Sequence, residues 1–123
     1  MADIRTKRVY EEAAPEDGIR ILVDRIWPRG LRKEQARVDL WLKEVAPSTA
    51  LRRWFGHDRS KWEEFKRRYF AELETRTGAV ELLLGYVQKG RVTLVFSARD
   101  PECNQAVALR EYLVQRLGGQ EPG

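Results

Sequence analysis

The spacing of apolar and polar positions changes period along the chain, and each change marks an element. Ile4 to Tyr10 sets β-branched and aromatic residues among bases and predicts a strand. Glu11 to Gly18 holds Pro15, Asp17 and Gly18 and predicts a loop. Residues 19–24 begin as a nearly continuous apolar run, which fits a strand covered on both faces in the middle of an α/β sheet. Leu31 to Arg37 is charged and predicts a short helix. Residues 38–45 carry two periods at once. Val38, Leu40 and Leu42 alternate as in a strand, whereas Trp41, Leu42 and Val45 fall on one helical face. The helical reading is preferred, ended by Ala46-Pro47 because the residue before a proline avoids the α region.

Ser48 then has the character of an N-cap for a helix from Thr49 to Phe55, with Leu51, Trp54 and Phe55 inward and Gly56 as the stop. Ser60-Lys61-Trp62-Glu63 reads as a capping box, Ser60 the cap and Glu63 reaching back. The helix it opens has Trp62, Phe65, Tyr69 and Leu73 on one face and ends near Thr77-Gly78. Lys66-Arg67-Arg68 on that helix, among Glu63, Glu64, Glu72 and Glu74, reads as a solvated, ion-paired face. Residues 79–89 predict another helix, and Val92 to Phe96 an almost wholly apolar central strand. A final helix is expected from about Pro101 to Leu117, with Asp100 as cap and Pro101 in the first turn.

Strands separated by a helical crossover pair in parallel and connect right-handedly. The expected fold is therefore α/β: a small three- or four-stranded, mainly parallel sheet with helices packed on it. One domain over residues 1–118 is expected, with 119–123 a frayed tail.

Composition narrows the chemistry. The chain has 123 residues, of which 42% are hydrophobic and 34% charged, as suits a globular domain with a charged surface. Its net charge of +4 is spread along the chain and forms no basic stripe, so nucleic acid is a possible but less favoured ligand. One cysteine, Cys103, allows no intrachain disulfide, and with one histidine, His57, no metal site or cofactor is expected. No segment has the character of a signal peptide or membrane span, so a cytoplasmic location and no membrane partner are expected. Four tryptophans in so short a chain leave one available for an interface, and a homodimer is among the expectations.

Two strand ends concentrate the remaining chemistry. The first is Asp24-Arg25-Ile26-Trp27-Pro28-Arg29-Gly30, too polar and too constrained for core. The second is Ser97-Ala98-Arg99-Asp100. If their strands are parallel neighbours, both loops leave on the carboxyl edge of the sheet, where ligands of open α/β sheets collect. Arg25, Arg29 and Arg99 would then converge on an anion, with Asp24 and Asp100 as carboxylates at hand. Purely structural Arg–Asp pairs fit the same residues. Trp27 is either a packing lid or a stacking platform. His57, beside Asp58, is a candidate acid or base, or a solvated loop residue. Ser97 has no histidine near it in sequence, and Cys103 is either a stabilised thiolate in a helical first turn or a small packed residue.

Four stretches in order, Asp24 to Gly30, Asp39 to Ser48, Trp54 to Asp58, and Ser97 to Asp100 with Asn104, resemble the DUF488 family, specifically its YeaO-like branch. The resemblance spans nearly the whole chain and implies a bacterial or archaeal α/β domain with no settled reaction. It also implies what is missing. Part of the wider family carries a cysteine at the end of the last strand and a Cys-His-Arg cluster early in the final helix. Aligned here, those positions hold Phe96 and Asn104-Gln105-Ala106, and Cys103 falls one position too early. The matched residues are the arginines, the tryptophans, His57 and Asn104.

The sequence thus leads to an anionic small molecule, such as a nucleotide or phosphorylated metabolite, held by Arg25, Arg29 and Arg99. Trp27 and Trp54 would pack its apolar part, with Asp24, Ser97 and Asn104 beside it. His57 or Asp100 would serve as acid or base if chemistry occurs. The alternative is a nucleic-acid or regulatory interaction module without catalysis.

Overall fold

A computed structural model describes residues 2–118, so the frayed tail expected over 119–123 lies outside the described residues. Four strands form one sheet: β1 (Ile4–Arg8), β2 (Ile19–Leu22), β3 (Leu40–Trp41) and β4 (Val92–Phe96). Their order is β1-β4-β2-β3 and every pair is parallel. β4 lies between β1 and β2, with Val92 opposite both Ile4 and Ile19. All five of its residues are buried, as an apolar run flanked on both edges and both faces must be.

Because side chains alternate across a strand, the sheet has two cores. Ile21, Val23, Leu94 and Phe96 join the larger one, under the helices α2 (Thr49–Phe55), α3 (Trp62–Glu74), α4 (Thr77–Lys89) and α5 (Gln105–Gly118). Leu22, Val95 and Val9 face the other way. There the segment after β2, with the short helix α1 (Lys33–Ala36), supplies Trp27, Leu31, Ala36 and Val38 as cover.

Residues 38–45 correct the helical reading. Leu40-Trp41 adds an edge strand to β2, and Lys43–Val45 then makes one 3-10 turn. Asp39 fixes this choice. Its N–H donates to the Arg20 carbonyl and its carboxylate accepts from the Arg20 N–H, each at 2.8 Å. Local helical spacing yields because an open sheet edge offers backbone partners that so short a helix leaves unmet.

The capping box is also corrected. Asp58 caps the turn Arg59–Lys61, accepting from the Ser60 N–H at 2.9 Å and its hydroxyl at 2.7 Å, and α3 continues from that turn. Glu63 faces outward and pairs with Lys66. By contrast Ser48 caps α2, accepting from the Leu51 N–H, and Gly56 ends it in the left-handed region at φ 52°. α5 starts later than expected, and its cap is Asn104, whose Oδ1 accepts from the Val107 N–H at 3.0 Å.

Gly18 is required at the entry to β2. Its φ is +65° and ψ −138°, a region only glycine occupies freely, and a Cβ there would lie 2.4 Å from the Arg91 carbonyl oxygen. Gly18→Ala is expected to destabilise the fold by about 2 kcal/mol, since strained backbone of this kind costs of order 1–3 kcal/mol. Urea denaturation, with unchanged m-value and lowered midpoint, checks it.

Candidate functional site

β2 and β4 are parallel neighbours, so their carboxyl ends open on the same edge. A cleft of about 800 Å³ lies there. Its walls come from the β2 end (Asp24, Arg25), Ala46-Pro47 ahead of α2, the last turn of α2 with Gly56 and His57 after it, and the segment from Ser97 to the start of α5 at Gln105. Phe55, Phe65, Ala46, Pro47 and Ala98 give it an apolar lining, and Arg25, Arg52, Arg53 and Arg99 all reach it.

Asp24 sits in the floor, 7% exposed. Its Oδ2 accepts from the Ser97 N–H at 3.1 Å and the Ser97 hydroxyl at 2.5 Å, and its Oδ1 accepts from the Gln105 side-chain amide. Burial pushes its carboxyl above the ordinary value; the Ser97 and Gln105 hydrogen bonds and the charge of Arg52 only partly offset this. The loop beneath is held from the far side by Arg8, which donates to the carbonyls of Ser97 and Ala98.

The opposite wall is equally fixed. Both oxygens of Glu72 accept from Ser48, one from its N–H at 2.8 Å and one from its hydroxyl at 2.5 Å. Arg76 donates to the carbonyls of Glu44 and Ala46. Tyr69, fully buried, donates to the Val45 carbonyl, and burial raises its phenol far above the usual range. These contacts hold Ala46-Pro47 rigidly at the cleft.

Of the residues singled out in sequence, Asp24, Arg25, His57, Ser97, Arg99, Asp100 and Asn104 meet at this cleft. Trp27, Arg29 and Trp54 do not line it. After Arg25 the chain turns over the sheet edge. Trp27 packs into the second core, edge-on to Trp41, with its indole N–H on the Leu31 carbonyl at 2.6 Å. Arg29 is exposed and its carbonyl accepts from Tyr10. Trp54 has the Arg68 guanidinium 4.2 Å and the Lys61 ammonium 5.1 Å from its ring centroid.

The polar candidates have narrower roles than their types allow. Asp100 accepts from Arg59 and from the N–H groups of Glu102 and Cys103. Arg59 foremost, with those amides, holds its carboxyl at about 2, so it carries no proton near neutral pH. Asp58 is spent on its own turn and does not orient His57, an exposed residue at φ 59°. Asn104 is 2% exposed, with Nδ2 on the Asp100 carbonyl and Oδ1 on the helix. Cys103 precedes α5 instead of lying in its first turn, and burial, then the Asp100 charge, raises its thiol. Among the described residues, no three His, Cys, Asp or Glu side chains are placed to hold a metal ion.

Arg52, Arg53, Arg59 and Gln105 were missed. The two arginines of α2 lie off its inward face of Leu51 and Phe55 and read as solvated. A basic pair in the last turn of a short helix before a glycine was the one local signal.

The fold and cleft define a class: a small parallel α/β domain with an arginine-rimmed cleft at the carboxyl ends of its two central strands. The chain belongs to the DUF488 family, in its YeaO-like branch. The family model described as "Inactive DUF488-N3 subclade" matches residues 3–123. The uncharacterized protein YeaO of Escherichia coli is 40% identical over 111 residues, 90% of this chain and 96% of that protein. Uncharacterized protein Rv3073c of Mycobacterium tuberculosis and Mb3100c of Mycobacterium bovis are each 43% identical over 112 residues, 89% of this chain and 92% of theirs. No solved structure matches.

Proposed function

We propose that the cleft binds an anionic small molecule, a nucleotide or phosphorylated metabolite, without turning it over. One observation carries this reading. Arg25, Arg52, Arg53 and Arg99 line one cleft, and none is in an ion pair among the described residues. The structural alternative weighed from sequence, Arg25 and Arg99 paired with Asp24 and Asp100, is not how those carboxylates are used. Asp24 is bonded by Ser97 and Gln105, and Asp100 pairs with Arg59. Four like charges left unpaired in one place raise the free energy of the empty site, and a bound anion relieves it.

Binding without reaction is favoured by the acid–base inventory. Asp100 is held ionised, His57 has no oriented partner among the described residues, and Cys103 is held as a thiol. The description of the matched subclade as inactive agrees with this. The apolar lining of Phe55, Phe65 and Pro47 suits a ligand with an organic body behind its anionic group.

Thermal-shift screening with sulfate, phosphate and nucleoside phosphates tests the reading. A ligand at a hundred times its Kd adds about 2.7 kcal/mol to stability and raises Tm by several degrees. The selected ligand should be recovered unchanged after prolonged incubation. A panel in which no anion raises Tm removes the proposal.

A further inference from the structure

We propose that Asp24 and Ser97 form a proton-linked donor in the floor of the cleft: when Asp24 takes up a proton, Oδ2–H donates to Ser97 Oγ, and the released Ser97 hydroxyl hydrogen turns into the cleft toward the anion. The proposal rests on the anion-site reading and adds how pH sets its affinity.

Three donors meet the Asp24 carboxylate: the Ser97 N–H, the Ser97 hydroxyl and the Gln105 amide N–H. The backbone N–H cannot accept, and Gln105 accepts only by turning its amide over, whereas the hydroxyl accepts by rotating one hydrogen. A proton arriving at Asp24 is therefore accommodated at Oδ2, 2.5 Å from Ser97 Oγ, by reversing one hydrogen bond while the other two stay. Ser97 itself lines the cleft, so the hydrogen it no longer gives to Asp24 faces the ligand space. One proton thus removes a negative charge beneath the anion and adds a donor to it. Both changes favour binding, and by linkage a bound anion must raise the proton affinity of Asp24. Burial already moves that carboxyl toward protonation.

Several other groups face this floor. Arg25 comes from the same loop, Arg52 and Arg53 from α2, and His57 from the turn after it. Tyr69 approaches from α3 with its hydroxyl committed to Val45. Arg99, Asp100 and Cys103 come from the loop after β4, where Asp100 is held ionised and Cys103 as a thiol. His57, the chain's one imidazole, also lines the cleft and is the group to control for.

Isothermal titration with inorganic sulfate, which stays fully ionised here, in buffers of different ionisation enthalpy counts the protons taken up on binding. For the native sequence, net uptake is expected, with affinity roughly five- to tenfold higher near pH 5.5 than near pH 7.5. His57→Gln keeps the uptake. Asp24→Asn binds sulfate with no proton uptake. Ser97→Ala loses most of the tightening, and it carries the test if Asp24→Asn does not fold. Sulfate binding without uptake, uptake that survives Asp24→Asn or disappears in His57→Gln, or full tightening in Ser97→Ala overturns the proposal and leaves the anion site standing. No sulfate binding at either pH removes both.

Discussion

Replacing Arg52 and Arg99 together with glutamine is expected to weaken sulfate binding about a hundredfold. Each guanidinium gives an anion charge-assisted hydrogen bonds, ordinarily about 1.5–3 kcal/mol net. Both residues are exposed at the cleft, so solvent and salt screening place them at the lower end of that range. They approach from different elements, Arg52 from α2 and Arg99 from the loop after β4, and so engage different sides of the ligand. The unliganded variant should be no less stable than the native protein. Neither side chain has a hydrogen-bond partner to lose among the described residues, and removing two of four mutually repelling charges offsets the lost attraction of Arg52 for Asp24. Calorimetric titration reads the affinity and thermal denaturation the stability. Native affinity in the double variant would separate the arginines from any anion binding. A loss that vanishes on adding about 0.5 M salt to both proteins would mark a diffuse attraction, since at that strength exposed charges are screened within a few ångströms.

The second large effect lies at the opposite edge of the sheet. Arg20→Ala should destabilise the protein by about 3–5 kcal/mol, the usual cost of removing one partner from a buried ion pair. The Arg20 side chain is 4% exposed and spans three acceptors. It donates to Asp17 Oδ2 at 2.6 Å, to the Ala36 carbonyl at 2.8 Å and to the Arg37 carbonyl at 3.1 Å. Its loss leaves a carboxylate with only Lys7 as countercharge and two carbonyls over the second core without partners.

Burial alone would raise the pKa of Asp17, yet the Ala14 N–H, Arg20 and Lys7 together hold it below the ordinary value. A depressed carboxylate contributes stability that is present above its unfolded pKa and lost as pH falls through the folded one. The gap between native protein and Arg20→Ala should therefore be full at neutral pH and narrow below about pH 4, near the unfolded value. Urea midpoints at neutral and acid pH measure it. Because the network is at the amino ends of the strands, sulfate affinity at neutral pH should be unchanged in the folded variant. An equal loss of affinity would show that the two edges of the sheet are coupled.

The amino-acid sequence alone determined the elements whose signals are local. Ser48 and Gly56 bracket α2 because a hydroxyl cap and a left-handed glycine act within one turn of chain. The apolar runs at 19–23 and 92–96 became central strands because nothing else buries so continuous a stretch. Parallel pairing followed from the crossover between them, and it brought Asp24 and Ser97 to one edge, where they are hydrogen-bonded. Elsewhere a partner brought by folding, or a competing neighbour, overrode the local signal. Residues 38–45 met an open sheet edge, Ser60 met a competing cap in Asp58, and Asp100 met Arg59 from 41 positions away.

Only the tertiary structure decided the membership of the cleft. Asp24 to Gly30 is one stretch in sequence and two environments in space: Asp24 and Arg25 face the ligand space, and Trp27 covers the far side of the sheet. Arg52 and Arg53 joined instead, because the crossover helices fold back over the carboxyl ends of β2 and β4. The charge of a residue is fixed by its side chain, but whether a guanidinium is paired or free depends on every neighbour that folding brings within a few ångströms. The sequence contained the arginines; the meeting of the β2 end, α2 and the loop after β4 gathered four of them at one cleft.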